Sequence, residues 1–271
     1  MQLSSAPSQL VLPWANGGTK NSIPVPSQIP ITPGAASWTD GYPPLTSIDP
    51  TSGGVPPARA DLNGGLFSMS AVDVWMSAGA GFPYSSAFST AVGGYPQGSR
   101  VLRATGLGYW LSTTDNNTTD PDTGGAGWIP DRAVSSVYAS AQQTIASGTS
   151  KVIYDTVAFD ALSQWDAADH RYVAKWPGFY RLNGSLYLPS SAAQNLATYI
   201  YKNGSLAANC FGYPQVSDAV LSLPFHAIIN CAVGDYLEVF MLADGTSTLV
   251  GSSSSGNEPL VYAQLEYLGN G

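Results

Sequence analysis

The hydrophobic residues in the second half of the chain recur at every second position. Between residues 221 and 233 the intervening positions hold polar residues such as Ser222, His226 and Asn230. A period of two is typical of a strand with one buried face, and here it predicts Cys231 on the core side and His226 on the other. Residues 180–188 and 261–267 alternate in the same way and predict two further strands. The apolar members of the first run are Leu221, Leu223, Phe225, Ala227, Ile229, Cys231 and Val233.

Short turn sequences separate these predicted strands. Lys202-Asn203-Gly204 has the residues of a tight hairpin, and Gly234-Asp235 precedes a further apolar strand over 236–242. Pro224 is expected to mark a strand start or a bulge, since proline cannot donate to a sheet ladder. Short strands with frequent turns and no helical pattern between them predict a mainly β fold, an antiparallel sandwich or jelly roll.

The first half of the chain has a different pattern. Proline recurs over residues 10–58 and excludes long helices there, so this part is expected to be irregular and rich in turns. One helix is predicted over about residues 61–78, with Asp61 as its N-cap, Gly79 as its C-terminal stop and one apolar face packed in a core. That face is formed by Leu62, Leu66, Met69, Val72 and Met76.

The change of pattern near residue 135 divides the chain into two predicted parts. Residues 1–135 form the irregular N-terminal module, and residues 136–271 form the β-sandwich head. The 271 residues are enough for two ordinary domains, and the apolar fraction of 44% is that of a globular protein.

Charge and length exclude two classes of partner. The net charge is −8 with only 10 lysines and arginines, which argues against nucleic acid, because phosphates require clustered basic residues. No apolar run reaches the roughly 18 residues of a membrane span, so membrane insertion is not expected. No basic and apolar leader pattern marks a signal peptide.

The candidate chemistry of the chain is sparse. No Gly-x-Ser-x-Gly motif of a serine hydrolase is present. Glycoside hydrolysis needs two facing carboxylates, and no two of those in the second half stand out as such a pair. These carboxylates are Asp160, Asp166, Asp169, Glu238 and Asp244. Two histidines leave little for a transition-metal site, and two cysteines, Cys210 and Cys231, are interpreted as free thiols, with a single bridge as the alternative. We therefore predict a protein that is not an enzyme and needs no cofactor.

A group of oxygen-bearing side chains precedes the predicted head. It has two readings, as ligands for Ca²⁺ or as caps of local turns, and its spacing lacks the glycine and terminal glutamate of an EF-hand. Turn capping is the favoured interpretation, so no metal is predicted. The group consists of Asp115, Asn116, Asn117, Asp120 and Asp122.

The second half resembles the jelly-roll heads of the tumour-necrosis-factor and complement superfamily. The motifs that carry the resemblance follow the order expected for that superfamily, although stretches 189–196 and 209–219 do not align. They are Val157 and Phe159, Gly178-Phe179-Tyr180, Lys202-Asn203-Gly204, Gly234-Asp235 and the closing strand from Tyr262 to Leu268.

The first half contains an ordered series of motifs over residues 10–130. The motifs are Ser37-Trp38-Thr39-Asp40-Gly41-Tyr42-Pro43-Pro44, Gly53-Gly54-Val55-Pro56-Pro57, Asp61-Leu62-Asn63-Gly64, Gly93-Gly94-Tyr95-Pro96, Gly108-Tyr109-Trp110-Leu111, Asp115-Asn116-Asn117-Thr118-Thr119-Asp120-Pro121 and Gly127-Trp128. In this series the first half resembles an N-terminal module of tail-fibre proteins from phages of Gram-negative bacteria. The resemblance implies a structural module that bears different C-terminal heads.

These resemblances imply a homotrimer in a phage tail, assembled in the bacterial cytoplasm. Phe225 and Tyr262 lie where the superfamily places aromatic residues along its threefold axis, with packing inside one sandwich as the alternative. Residues 1–135 would attach to tail or baseplate proteins, and the head would bind a host glycan or surface protein. A purely structural trimer and a glycan-degrading enzyme are the alternative functions.

Receptor contacts are expected in the loops of the head, where side chains vary without disturbing the sheets. A sugar needs flat aromatic surface and hydrogen-bonding groups. The candidates are Tyr213, Gln215 and Asp218 in one predicted loop, and Asp244 and Ser247 in another.

Overall fold

A computed structural model of the chain describes residues 6–188, 194–216, 221–251 and 260–269, with the backbone alone at residues 194 and 211–216. The chain divides into two compact units, Met1–Phe82 and Pro83–Gly271. The second unit contains a small three-stranded sheet as well as the β-sandwich. The assignment of residues 1–135 to attachment and 136–271 to the head stays a prediction.

The first unit contains one α-helix and otherwise irregular chain. Two 3₁₀ turns, Pro44–Ser47 and Pro50–Ser52, precede helix α1, Arg59–Ser77. The predicted helix is present, and Gly79 follows its end at φ +78°, a conformation that suits glycine. The predicted cap is wrong, since the N-cap is Ala58. Asp61 instead lies buried in the first turn, where its carboxylate accepts hydrogen bonds from Asn21 Nδ2 (2.7 Å) and Ala36 N (3.0 Å).

The apolar face of α1 is not packed in a core, contrary to the prediction. Leu62, Met69 and Met76 are 51%, 51% and 61% exposed. The buried residues of the helix are Asp61 and Gly64, because the segment before residue 24 packs against the opposite side. At Gly64, an added Cβ would lie 2.0 Å from the carbonyl oxygen of Asn21, so the absence of a side chain permits this close approach.

The neighbouring glycines of α1 predict opposite effects of the same substitution. Gly64→Ala forces the helix away from Asn21, at a cost of roughly 1–3 kcal/mol, whereas Gly65→Ala meets no atom within 4 Å and raises helix propensity. We expect trypsin to cleave Gly64→Ala after Lys20 and Arg59 about tenfold faster than the parent chain. Gly65→Ala should be cleaved no faster than the parent, and equal rates for the two variants would contradict the close approach.

The second unit begins with a small helix and a three-stranded sheet. Helix α2, Ser86–Val92, is followed by β1, Arg100–Leu102, β2, Tyr109–Ser112, and β3, Trp128–Pro130, paired antiparallel in that order. Val101, Trp110 and Trp128 form its core. Among the described residues, neither helix has the length and hydropathy that crossing a membrane requires.

The oxygen-rich group before the head caps turns, as the favoured interpretation predicted. Asp120 Oδ1 accepts from the N–H of Asp122 (2.9 Å) at the start of the 3₁₀ turn Pro121–Thr123. Asp122 in turn accepts from the Trp110 indole N–H (2.9 Å) and from Ala104 N (3.1 Å). Asn117 is buried and donates to the carbonyl of Gly127 (3.0 Å).

The described residues of the head contain thirteen further strands, most of them connected by short turns. In chain order they are β4 Ala133–Tyr138, β5 Gln143–Ile145, β6 Gly148–Lys151, β7 Thr156–Asp160, β8 Trp165–Asp166, β9 Arg171–Val173, β10 Gly178–Leu188, β11 Gln194–Lys202, β12 Ser205–Val216, β13 Leu221–Cys231, β14 Tyr236–Ala243, β15 Ser247–Leu249 and β16 Tyr262–Gly269.

The strands form two main antiparallel sheets, and strands that are neighbours in a sheet are often not consecutive in the sequence. The five-stranded sheet has the order β13-β10-β16-β4-β7, and the six-stranded sheet has the order β12-β11-β14-β9-β8, with β6 also paired to β14. Strands distant in sequence are thus neighbours, which is the connectivity of a jelly roll. The chain is therefore mainly β, and the sandwich that the alternation predicted is confirmed.

The residues that alternate in sequence form the core between the sheets. Tyr180, Leu182, Leu186 and Leu265 are at most 1% exposed, and Cys231 is buried while His226 is exposed, as predicted. Both cysteines are free thiols. Pro224 lies within β13 rather than at a strand start, which the sheet tolerates because β13 is an edge strand.

The predicted hairpin Lys202-Asn203-Gly204 joins β11 to β12 and is held by a polar cluster. Asn203 and Gly204 adopt positive φ values of 53° and 75°. The Asp235 carboxylate accepts from Asn203 Nδ2 (2.7 Å) and Ala232 N (2.8 Å) and pairs with the Lys202 ammonium (2.7 Å). The bond from Lys202 is the main reason that the pKa of Asp235 falls to about 2.

This cluster predicts a pH-dependent contribution to stability. Because the pKa of Asp235 is lower in the folded protein than in the unfolded chain, its contribution of about 2 kcal/mol is present above about pH 4 and is lost as the pH falls towards 2. We expect Asp235→Asn to lower the free energy of unfolding by about that amount at pH 7, and the difference from the parent to shrink to roughly half at pH 3. Urea unfolding at both pH values measures this, and an unchanged difference would contradict it.

Candidate assembly and binding surfaces

The outer face of the five-stranded sheet is formed by the residues that alternate with the core. In the central strand β16, Ala263, Leu265 and Tyr267 are buried, so Tyr262 and Glu266 point outwards. Tyr262 lies opposite Tyr138 of β4 on one side and Ser185 of β10 on the other. This face therefore carries two neighbouring aromatic side chains, Tyr138 and Tyr262, at the point where β4 ends and β16 begins.

Exposed apolar side chains of the head lie mainly on this sheet. Phe159, Phe179, Ile228 and Leu268 are 47%, 38%, 57% and 40% exposed, and their registers place them on the same face as Tyr262 or at its ends. On the six-stranded sheet, within the described part of the chain, Leu206 is the large apolar residue that is exposed to this degree. Phe179, Ile228 and Leu268 lie at one end of this face, whereas Phe159 lies on its edge strand β7. Apolar exposure at several places on one face favours contact with another molecule.

Polar pairs cross the same face between neighbouring strands. Arg181 Nη1 donates to Glu266 Oε2 (2.9 Å), and Asn183 Nδ2 donates to Gln264 Oε1 (3.3 Å). Each of these polar groups already has a hydrogen-bond partner within the chain. A second molecule could therefore cover the face without burying the Arg181 or Glu266 charge unpaired. A mixture of aromatic, apolar and internally paired polar groups is typical of protein interfaces.

The two residues predicted for the trimer axis, Phe225 and Tyr262, differ in their exposure. Tyr262 is half-buried on the outer face, so its assignment to an interface stays a prediction. Phe225 is 2% exposed and packs in the core of the sandwich, which is the alternative that the sequence left open. Phe225 is therefore not available to a neighbouring chain, because the alternation of β13 directs its ring inwards.

Of the predicted receptor contacts, Asp244 is exposed directly after β14. Its carboxylate accepts hydrogen bonds from the backbone N–H (2.8 Å) and the side-chain amide (2.6 Å) of Asn195. Its carbonyl accepts from Ser147 Oγ (3.1 Å). Ser247 is only 3% exposed and begins β15, so its predicted position in an exposed loop is wrong.

Tyr213 and Gln215 lie in strand β12 rather than in the predicted loop. Their side chains and the whole of Asp218 lie outside the described residues. Tyr213 pairs with Leu196 of β11, which pairs with Ala243 of β14. Since neighbouring strands are about 4.8 Å apart, the backbone of Tyr213 lies roughly 10 Å from Ala243, next to Asp244. The two predicted groups therefore share one end of the six-stranded sheet.

The sequence reasoning missed several residues of these surfaces. Asn195, which holds Asp244, gave no local signal, because its contact joins residues 49 positions apart. Ile228 did give a signal, since it is apolar at a position where β13 otherwise alternates to polar residues. Phe179 precedes the buried Tyr180 and could have been placed outside by the same argument.

The carboxylates considered for hydrolysis each have partners in the chain. Asp160 accepts from the N–H groups of Gln164 (2.9 Å) and Trp165 (2.8 Å), and Glu238 pairs with Lys151 (2.6 Å). Asp166 and Asp169 both pair with Arg171 (3.2 and 2.6 Å). These contacts give the carboxylates structural roles in turns and between strands.

A cleft of about 770 Å³ lies within the second unit and is walled by tryptophans. Trp110 and Trp128, however, are only 6% and 4% exposed, and the Asp122 carboxylate at the cleft is engaged by the Trp110 indole. The centroid of the Trp110 ring lies 6.0 Å from that of Trp176. These rings pack against one another and offer little free surface to a ligand.

Comparison with known proteins gives structural similarities only. No protein-family model matches the chain, and no curated protein matches it. Solved structures that are similar include the tumour-necrosis-factor protein Eiger from S. frugiperda, with 12% identity and a TM-score of 0.40 over 52% of this chain and 95% of that one. Murine APRIL has 13% identity and a TM-score of 0.37 over 51% and 99%. The globular domain of zebrafish complement 1qA has 12% identity and a TM-score of 0.36 over 51% and 99%.

Proposed function

We propose that this chain is a trimeric phage tail-fibre protein whose jelly-roll head adheres without covalent chemistry to the surface of a host bacterium. The observation that carries the proposal is the concentration of exposed apolar side chains on the outer face of the five-stranded sheet, among them Phe159, Phe179 and Ile228. Three copies packed through this face would remove those side chains from water.

The assignment to a phage tail is supported by the ordered motifs of residues 10–130. In this proposal the N-terminal module attaches to tail or baseplate proteins and the protein is part of the virion. The head then projects three equivalent copies of its loops towards the host. Multivalent display converts weak binding of each copy to a glycan or surface protein into firm attachment.

The receptor surface in this proposal is the end of the six-stranded sheet around Asp244. Asp244 is exposed and held in place by Asn195 and Ser147, so its carboxylate offers oriented acceptors at low entropic cost. By the register of β11, β12 and β14, the backbone of Tyr213 and Gln215 lies at the same end of this sheet. Adhesion of this kind involves no bond making or breaking and needs no cofactor.

The test begins with the mass of the full chain by light scattering at micromolar and nanomolar concentrations. The proposal predicts about 85 kDa, three times the 28.2 kDa chain, at both concentrations. The labelled trimer is then applied to a panel of Gram-negative strains and counted by flow cytometry. A mass equal to that of one chain at micromolar concentration would rule out the trimer.

A matched pair of variants tests the receptor surface on any strain that binds. Asp244→Ala removes the exposed acceptors beside Asn195, and we expect at least tenfold weaker binding. Asp169→Ala removes another exposed carboxylate, in the turn between β8 and β9, and should bind like the parent. A trimer that binds no strain in the panel would favour the structural alternative, and release of reducing ends from host polysaccharide would favour the enzymatic one.

A further inference from the structure

The first unit, Met1–Phe82, lacks an apolar core of its own. Among its described residues, no leucine, isoleucine, valine, methionine, phenylalanine or tryptophan side chain is buried. Ordering the backbone costs roughly 1–2 kcal/mol per residue, and burial of apolar surface is the main term that offsets it. This unit therefore requires a partner that covers its apolar side chains.

Helix α1 presents its apolar side chains in a regular line. Five positions lie at successive steps of three, four, three and four, which is the spacing of positions a and d in a heptad. Four of them are 51%, 51%, 44% and 61% exposed, and the remaining one, Gly65, has open space where a Cβ would lie. The line, termed here the α1 seam, consists of Leu62, Gly65, Met69, Val72 and Met76.

The opposite side of α1 is already occupied by the same chain. Asn63 Oδ1 accepts from the Trp14 indole N–H (3.2 Å), and the Ser70 hydroxyl oxygen accepts from the backbone N–H of Trp14 (2.8 Å). Lys20 lies over the ring of Phe67 with its ammonium 4.4 Å from the centroid. Residues 14–21 thus hold the helix by its far side. The α1 seam stays exposed, and its Leu62, Gly65 and Met69 line an open groove together with Trp38 and Tyr42 of the same unit.

The charges beside the α1 seam favour another copy of this chain as the partner. The positions that flank a seam, e and g, hold Asp61, Leu66, Ser68, Asp73 and Trp75. Asp61 is buried and hydrogen-bonded within its own chain, which leaves Asp73 as the exposed charge. With one exposed charge beside the seam, little charge repulsion opposes the packing of identical helices through their apolar side chains.

We propose that the α1 helices of three copies pack in parallel along the α1 seam, forming a three-helix bundle that completes the core of the N-terminal unit. This inference rests on the proposed trimer and adds a second contact between its chains. A helix of 19 residues extends about 28 Å and holds fewer than three heptads, which is marginal for an isolated coiled coil. Linkage through the trimeric head would raise the effective concentration of the helices and so favour the bundle.

Cysteine crosslinking in the full chain tests the packing. In a parallel bundle the three copies of residue 69 face one another, so Met69→Cys should form a disulfide-linked dimer on mild oxidation, seen on a non-reducing gel. Ala71→Cys places the thiol on the far side of the helix and should stay uncrosslinked. The parent chain should also stay uncrosslinked, since Cys231 is buried and Cys210 is half-buried against the core of the head.

The crosslink and the mass separate the two proposals. A parent chain with the mass of a trimer but no crosslink at residue 69 overturns the α1 seam and leaves the trimer standing. A parent chain with the mass of a monomer overturns both. Crosslinking at residue 69 in a trimer supports both.

A second variant tests the seam without relying on thiol chemistry. Met69→Asp changes a side chain that is half-exposed in the single chain, so contacts within one chain and helix propensity account for only a small part of its expected effect. We expect trypsin to cleave it after Arg59 at least tenfold faster than the parent. Ile31→Asp, which changes a 68% exposed residue outside the helix, should be cleaved like the parent. Equal rates for the two variants would overturn the proposal.

Discussion

Replacing Tyr262 with lysine is expected to convert the trimer into a monomer while the head stays folded. Tyr262 points outwards from the central strand of the five-stranded sheet, so the substitution leaves the core of the sandwich intact. In the proposed trimer, three copies of residue 262 would be buried near one another. Three lysine ammonium groups there would lose water and repel one another, at a cost of several kcal/mol that an interface does not sustain.

Light scattering measures this directly, as a fall in mass from that of three chains to the 28.2 kDa of one chain. Near-ultraviolet circular dichroism shows whether the packed aromatic core of the head is retained. Leu206→Lys provides the control, since Leu206 is 55% exposed on the six-stranded sheet and its replacement should leave the trimer intact. A trimer that survives Tyr262→Lys would place the contact between chains elsewhere.

Replacing Gly184 with alanine is expected to destabilise the head more than any other single methyl group considered in this chain. Gly184 lies in the interior of β10, between Phe225 of β13 and Ala263 of β16. An added Cβ would lie 2.1 Å from the carbonyl oxygen of Tyr262 and 2.5 Å from the ring of Phe225. Relief requires movement of a central strand, because the ring is itself enclosed in the core, and we expect a loss of about 3 kcal/mol or more.

Thermal unfolding of the second unit should show this as a melting temperature lower by roughly 10 °C. The adjacent Ser185→Ala is the control, because Ser185 lies on the outer face and its loss should change stability by about 0.5 kcal/mol or less. If both variants melt together, the ring of Phe225 is not packed against Gly184. The same result would reopen Phe225 as an interface residue.

Strands β10, β13 and β16 were predictable because their core positions follow from local alternation. The alternation over residues 221–231 specified β13, including Cys231 inside and His226 outside. The hairpin at Asn203-Gly204 was equally predictable, since two adjacent positive φ values require such residues. In both cases the physical cause lies within a few residues of the position concerned.

The hydrophobic pattern did not predict which parts of the chain would cover a given side chain. The periodicity of α1 identified its apolar face correctly but not what covers it, because a period records only that one side is apolar. Likewise, Ser247 reads as a loop residue after a glycine turn, yet its pairing with Ile145 buries it. That partner is distant along the chain, and no local signal marks it.

By itself, the sequence determined that this protein is mainly β with a helix over about residues 61–78, which positions of β10, β13 and β16 alternate towards the core, and where the hairpin at Asn203-Gly204 turns. These depend on side-chain period and on backbone preferences of single residues. The tertiary structure alone decided the order of strands in the two sheets and the packing of Phe225 in the core rather than at an interface between chains. It also decided the contact of Asp244 with Asn195 and the exposure of the α1 seam. Each of these depends on which distant strands and segments become neighbours, and that choice is made by packing the whole chain at once.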